Sequence, residues 1–304
     1  MTMTDLISCD LSASIADATG QLMPRSKPVY EHDARVLAEW MLDQALVPGK
    51  FTRSNAIMYL SWLNEKHAGA TVKRMISVAK NIFREQVNAG IRTSNPFEGM
   101  RGIPKANNET PHTALTKQQA KDLLASIDQS RHRGKRDYAL ISFLLRTGIR
   151  RSECAALNIG DLMMDQGHHV AIIRHGKGDK RRKAKVPVDV FRSIQEYIED
   201  TQRSTAPPGD PLFVGFDRWD RPTTIRVSDK LIERTVKVYG EKNGVYTLTP
   251  HGLRATFITL ALEGGATLMQ VQYAAGHDDP RTTERYQKRK LNLDNNAVDF
   301  VYLD

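Results

Sequence analysis

The chain has 304 residues, enough for two domains of roughly 100–200 residues, and no run approaches the ~18 apolar residues of a membrane span. Lys plus Arg number 44 against 35 Asp plus Glu, a formal net charge of +9, which points to a polyanionic partner, nucleic acid ahead of an anionic membrane surface. Cys9 and Cys154 cannot build a zinc site or a disulfide framework. Asp5 and Asp10 stand where a signal sequence would be basic and then apolar, so a soluble intracellular protein is expected.

Residues 1–26 are weakly periodic and read as an N-terminal arm, flexible or forming a short helix. Ala34, Leu37, Trp40, Met41 and Ala45 then recur at helical spacing until Val47-Pro48-Gly49. Thr52 is placed to cap a second helix carrying Ala56, Ile57, Leu60 and Leu63, and a third, from Val72 to Val87, stops at Gly90. Residues 27–100 therefore read as one compact helical unit. The stretch 101–112, with Gly, Pro and Asn and no periodicity, reads as a linker.

A second unit starts near residue 113. Thr116 and Gln119 have capping-box spacing ahead of Ala120, Leu123 and Leu124, and the nearly continuous apolar run "YALISFLLRTG" closes on Gly148. Val170–Ile173 reads as a strand, "RRKAKVPV" as its returning partner, and Gly176-Lys177-Gly178-Asp179 as the turn between them. Beyond these the pattern returns to helices through "VFRSIQEYI", "VSDKLIERTVKVYG" and "TPHGLRATFITLALEGG".

Three stretches hold residues that could do chemistry. In "TGIRRSE" a helix stops at Gly148 and another begins at once, leaving Arg150 in the break and Glu153 one turn on, close enough to orient a guanidinium. In "TPHGLRATF", Thr249 suits a cap and Pro250 the first helical position, so His251 and Arg254 share a face near a helix N-terminus, an arrangement that suits phosphate. Arg174, Lys180, Arg181, Arg182 and Lys183 cluster on the hairpin and would fit a DNA backbone. Each fragment alone has an ordinary reading: a surface pair, an exposed basic corner, a solvated charged turn.

In order and together, "TGIRRSE", "HGKGDKRRKAKVP", "TPHGLRATF" and "AAGHDDPRTTERY" resemble the catalytic signature of the tyrosine recombinase (phage integrase) family. The motifs span about residues 113–290, while residues 27–100 match only by helical pattern and position. The resemblance implies a mainly α fold: a helical N-terminal core-binding, SAM-like domain and a mostly helical catalytic domain with a small antiparallel β-sheet. It also implies a tail, residues 291–304, that packs in trans on a neighbouring subunit.

By resemblance Tyr286 is the nucleophile, cleaving DNA to a 3′-phosphotyrosyl bond and a free 5′-hydroxyl. Arg150 and Arg254 would hold the non-bridging phosphate oxygens, His251 would accept a proton or bond the phosphate, His277 would contact it, and Lys177 would protonate the leaving oxygen. Glu153 is similar to the supporting acid that positions Arg150. The family pattern selects Arg150 over Arg151, Lys177 over Lys180, and Tyr286 over Tyr302. No cofactor and no metal is implied: the phosphotyrosyl bond conserves the energy of the phosphodiester, and the arginines and lysine take a metal's place as charge stabilisers.

The partners implied are a double-stranded recombination site and further copies of the chain, monomeric in free solution and tetrameric on synapsed DNA, exchanging strands through a Holliday junction. No membrane is involved, and the location expected is cytoplasmic, on the nucleoid. The short stretch before residue 27 favours the simple two-domain form of Xer-type recombinases and Cre, and the short connection from His277 to Tyr286, with that resemblance, favours cleavage in cis. Two other classes share parts of the pattern. A non-catalytic DNA-binding scaffold would lack the filled catalytic positions, and a type IB topoisomerase-like enzyme would relax DNA as a monomer without this helical domain.

Overall fold

A computed structural model of the chain describes residues 3–20, 26–100, 114–174 and 181–276, with only the backbone for 3–10. It divides into two compact units, Met1–Thr110 and Pro111–Asp304. Among the described residues no helix is long and apolar enough to cross a membrane.

Among the described residues the first unit has four α-helices: α1 (Met3–Gly20), α2 (Lys27–Asp43), α3 (Arg53–Lys66) and α4 (Gly69–Asn88). The stretch read as an arm is thus largely helical, and Leu11 on α1 is buried in the same core as Leu37, Met41 and Phe83. Thr52 and Asn55 form a reciprocal capping box at the start of α3. The buried face of α3 runs through Ala56, Tyr59 and Leu63, so Ile57, expected inside, is 55% exposed. Aromatic rings fill the centre, with Phe51 against Phe83 at 4.9 Å and Trp40 against Tyr59 at 5.1 Å between centroids.

The second unit opens with α5 (Lys117–Ala125), where Thr116 and Gln119 close the expected capping box. Next come α6 (His132–Thr147) and α7 (Arg151–Ala156). Strands β1 (Leu162–Asp165), β2 (His168–Ile173) and β3 (Arg182–Lys185) form an antiparallel sheet in that order. Helix α8 (Val188–Asp200) follows, then a hairpin of β4 (Val214–Phe216) and β5 (Pro222–Arg226), then α9 (Asp229–Lys242), α10 (Pro250–Glu263) and α11 (Leu268–Ala275).

The β2–β3 pair lies where the sequence places it. Strand β1 and the β4–β5 hairpin do not follow from the sequence pattern, which assigns no element to either stretch. Helix α6 is buried on nearly all sides, from Ala139 through Leu145, which is why its apolar run has no polar face. Its burial in the core places its C-terminal end, where the candidate site begins.

Candidate active site

Three chain breaks converge at this corner. Helix α6 ends on Gly148 in the left-handed region, φ 62°, and a Cβ there would come 2.2 Å from the Phe257 ring on α10. Only glycine meets both demands. The carbonyl of Gly148 accepts a hydrogen bond at 2.5 Å from Arg254 Nη1, so the helix end is the anchor of a buried arginine, 3% exposed. Gly148→Ala is expected to lose about 2–4 kcal/mol, the sum of the φ penalty and overpacking against Phe257, read as a fall in the catalytic unit's Tm.

Arg150 is the N-cap of α7, and Glu153 sits at the third position of that helix. Glu153 is 4% exposed. Its Oε2 accepts the Arg150 backbone N–H at 2.8 Å, and its Oε1 accepts Arg150 Nη1 at 2.8 Å. Arg150 Nη2 donates to the Gly276 carbonyl at 2.7 Å, tying α7 to the end of α11. Arg151, the other arginine of the motif, turns to α9 instead, ion-paired to Glu233 and, at 4.0 Å, to Asp229. Neighbouring positions in the sequence thus do different jobs.

Thr249 caps α10 by accepting the Gly252 N–H at 3.0 Å. Pro250 occupies its first turn, and His251 and Arg254 lie on one face, His251 exposed and Arg254 buried. Helix α11 packs on α10 through Ile258, Val271 and Ala275, and ends at Gly276, φ 65°. His277 follows directly in the chain.

The basic run does not face one way. Arg181, Lys183 and Lys185 point to solvent, while Arg182, Ala184 and Val186 point inward with the strand alternation of β3. Arg182, expected on the DNA backbone, instead donates from Nη2 to Glu153 Oε2 at 2.8 Å, and its side chain is 16% exposed. Burial pulls its guanidinium pKa below the ordinary arginine value, with Glu153 opposing the shift. It stays cationic at neutral pH. Arg174 pairs with Asp161 at 2.5 Å and Lys183 with Asp165 at 2.8 Å, both partly exposed.

Arg150 and Arg182 thus share a single carboxylate, Glu153, while Arg254 is anchored on the Gly148 carbonyl, two residues before Arg150. With Arg254 beside this pair, positive charge exceeds the one acid at the ends of α6, α7 and α11, an arrangement that suits an anion and charge developing on it. Lys177, Lys180, His277, Tyr286 and Tyr302 lie outside the described residues, as do the linker and the tail. Sequence reasoning missed the inward role of Arg182, although its parity with Ala184 and Val186 carried the signal.

The family model of the phage integrase family matches residues 113–292. The chain belongs to this family. It is a tyrosine recombinase, a site-specific enzyme that breaks and rejoins DNA. It is 32% identical over 245 residues to the tyrosine recombinase XerC of Chlamydia pneumoniae, covering 80% of this chain and 75% of that protein. It is equally 32% identical over 215 residues to the tyrosine recombinase XerD of Neisseria meningitidis serogroup A, covering 70% of each.

Its fold is shared with XerH bound to difH DNA in a post-cleavage complex, with TM-score 0.74 and 19% identity over 88% of this chain and 77% of that one. A lambda integrase dimer bound to a core site has the same fold, with TM-score 0.67 and 15% identity over 96% and 97%. The mainly α class with small antiparallel sheets expected from the sequence is the fold these relatives have.

Proposed function

We propose that the corner formed by Arg150, Glu153 and Arg254 receives the scissile phosphate of the enzyme's DNA site, and that Tyr286 attacks it. The phenol oxygen of Tyr286 forms a bond to phosphorus and its proton passes to His251. The bond to the 5′-oxygen breaks, and Lys177 protonates that leaving oxygen. The product is a 3′-phosphotyrosyl link and a free 5′-hydroxyl, and the reverse reaction with another strand's 5′-hydroxyl completes the exchange.

A phenol of pKa ~10 attacking an already anionic phosphate needs positive charge close to the non-bridging oxygens. Arg150 and Arg254 supply it on this reading, with His277 as a further hydrogen-bond donor and Glu153 fixing the Arg150 fork. The observation that carries the proposal is the shared anchoring of the two arginines, one on the carbonyl of Gly148 and the other two residues on, held by Glu153 and the Gly276 carbonyl. Planar forks held this way are pre-organised for phosphate in a way that two mobile side chains are not.

Arg174, Lys180, Arg181 and Lys183 steer and hold the duplex backbone. Two protomers occupy each site and four assemble on the synapse, resolving a Holliday junction by paired strand exchanges in the compartment that holds the chromosome. Two supercoiled-plasmid substrates test this reading. A plasmid carrying two cognate sites is expected to yield deletion or inversion products. Relaxation of a site-free plasmid with no recombinants would instead indicate topoisomerase activity and refute the assembly.

A further inference from the structure

The side chain that the proposed chemistry leaves without a task is Arg182. It begins β3, immediately after the basic hairpin, yet it points away from solvent. Its Nη2 reaches Glu153 Oε2 at 2.8 Å and, more weakly, the Ala275 carbonyl at 3.4 Å. Its Nε lies so close to the α11 terminus that a Cβ on Gly276 would come within 2.3 Å of it. Its Nη1 is buried and, among the described residues, has no hydrogen-bond partner. Surface phosphate contacts do not look like this: the group is desolvated, and it shares one carboxylate with a second guanidinium that repels it.

We propose that Arg182 is a positioning residue of the strand-cleavage reaction, clasping Glu153, and through it Arg150, to the last turn of α11. A carboxylate held by Arg150 alone can rotate with it. Held from a second side by a rigid strand, it presents Arg150 in one orientation. The same clasp sets the α11 terminus, from which the chain runs to His277 and Tyr286, against the Arg150 corner. Arg182 thus acts through other groups and gives DNA little of its own binding energy. The inference rests on the catalytic reading of Arg150 and Tyr286 given above.

The test is single-turnover cleavage of a nicked suicide substrate by full-length protein, at saturating enzyme, beside equilibrium binding of the same site. Arg182→Ala is expected to cleave about 10–100-fold more slowly, the usual cost of losing an outer partner, with site affinity within about twofold of the unsubstituted protein. Glu153→Gln is expected to cost a similar factor, and the double variant little more than either alone, because the two side chains act as one unit. Arg182→Lys restores part of the rate, and serves as the test variant if Arg182→Ala does not fold.

Cleavage at the original rate would overturn the inference. So would a loss confined to affinity, which would make Arg182 a DNA-backbone contact, or losses that multiply in the double variant. If Arg150→Ala and Tyr286→Phe also cleave normally, it is the catalytic reading itself that has failed. If those two are inactive while Arg182→Ala is not, only the clasp has failed.

Discussion

Tyr286→Phe is expected to bind its recombination site as the unsubstituted protein does and to form no covalent protein–DNA adduct. The substitution removes one oxygen and leaves the ring and the net charge, so on the proposed reading only the nucleophile is lost. Removal of a covalent nucleophile costs on the order of 10⁴-fold or more, which here means cleavage below detection. The sequence offers Tyr302 as the other tyrosine near the C-terminus, and its segment "VDFVYLD" is apolar where "RTTERYQKRK" is polar and basic. Tyr302→Phe is therefore the matched control and is expected to cleave. Denaturing gel analysis of a labelled suicide substrate reads both.

Arg254→Lys is expected to lose roughly 10²–10³-fold in cleavage rate, or about 3–4 kcal/mol of transition-state stabilisation, with a smaller effect on binding. Arg254 is buried at 3% exposure, and Nη1 is committed to the Gly148 carbonyl. A planar fork can keep that anchor and present its remaining edge to a phosphate. A lysine ammonium is a single point of charge on a flexible stem, and cannot do both in fixed geometry. The Gly148 carbonyl would also be left without its donor in a buried setting. Arg150→Lys is expected to behave similarly, because its fork spans Glu153 on one side and Gly276 on the other. Single-turnover rates at saturating protein separate this loss from weakened binding.

Much of this site was legible in the sequence because its parts sit at helix ends, where local rules are strict. Thr116 with Gln119, Gly148 and Thr249 announce caps and stops through residue chemistry alone, and each appears where expected. Arg150 and Arg254 follow from those boundaries, since a residue in the break after a glycine stop and one three positions into a capped helix have few places to go. The ordered motifs then identify the family even though no single fragment does.

What the sequence did not reveal depends on tertiary contact. Strand β1, Leu162–Asp165, is short and half exposed, and it pairs with β2 through a turn at Gln166 and Gly167, both at positive φ. Its pattern alone does not alternate. The β4–β5 hairpin has a register shift between Val214 and Phe216 and begins β5 with a proline, so it too lacks the period-two signal. Helix α1 reads as an arm because its own periodicity is weak, and its place in the core comes from packing beside α2 and α4. Arg182 reads as one more cation in a basic run until the strand's alternation is applied to it.

On the proposed reading, the positive corner at Arg150 and Arg254 serves a phosphate attacked by Tyr286. The measurement that bears on it most directly is peptide mapping of the adduct trapped on a nicked suicide substrate carrying the enzyme's own site. One modified tryptic peptide is expected, with the DNA 3′-phosphate esterified to Tyr286. An adduct on Tyr302 or any other residue, or cleavage that releases a free 3′-phosphate with no adduct, would contradict it.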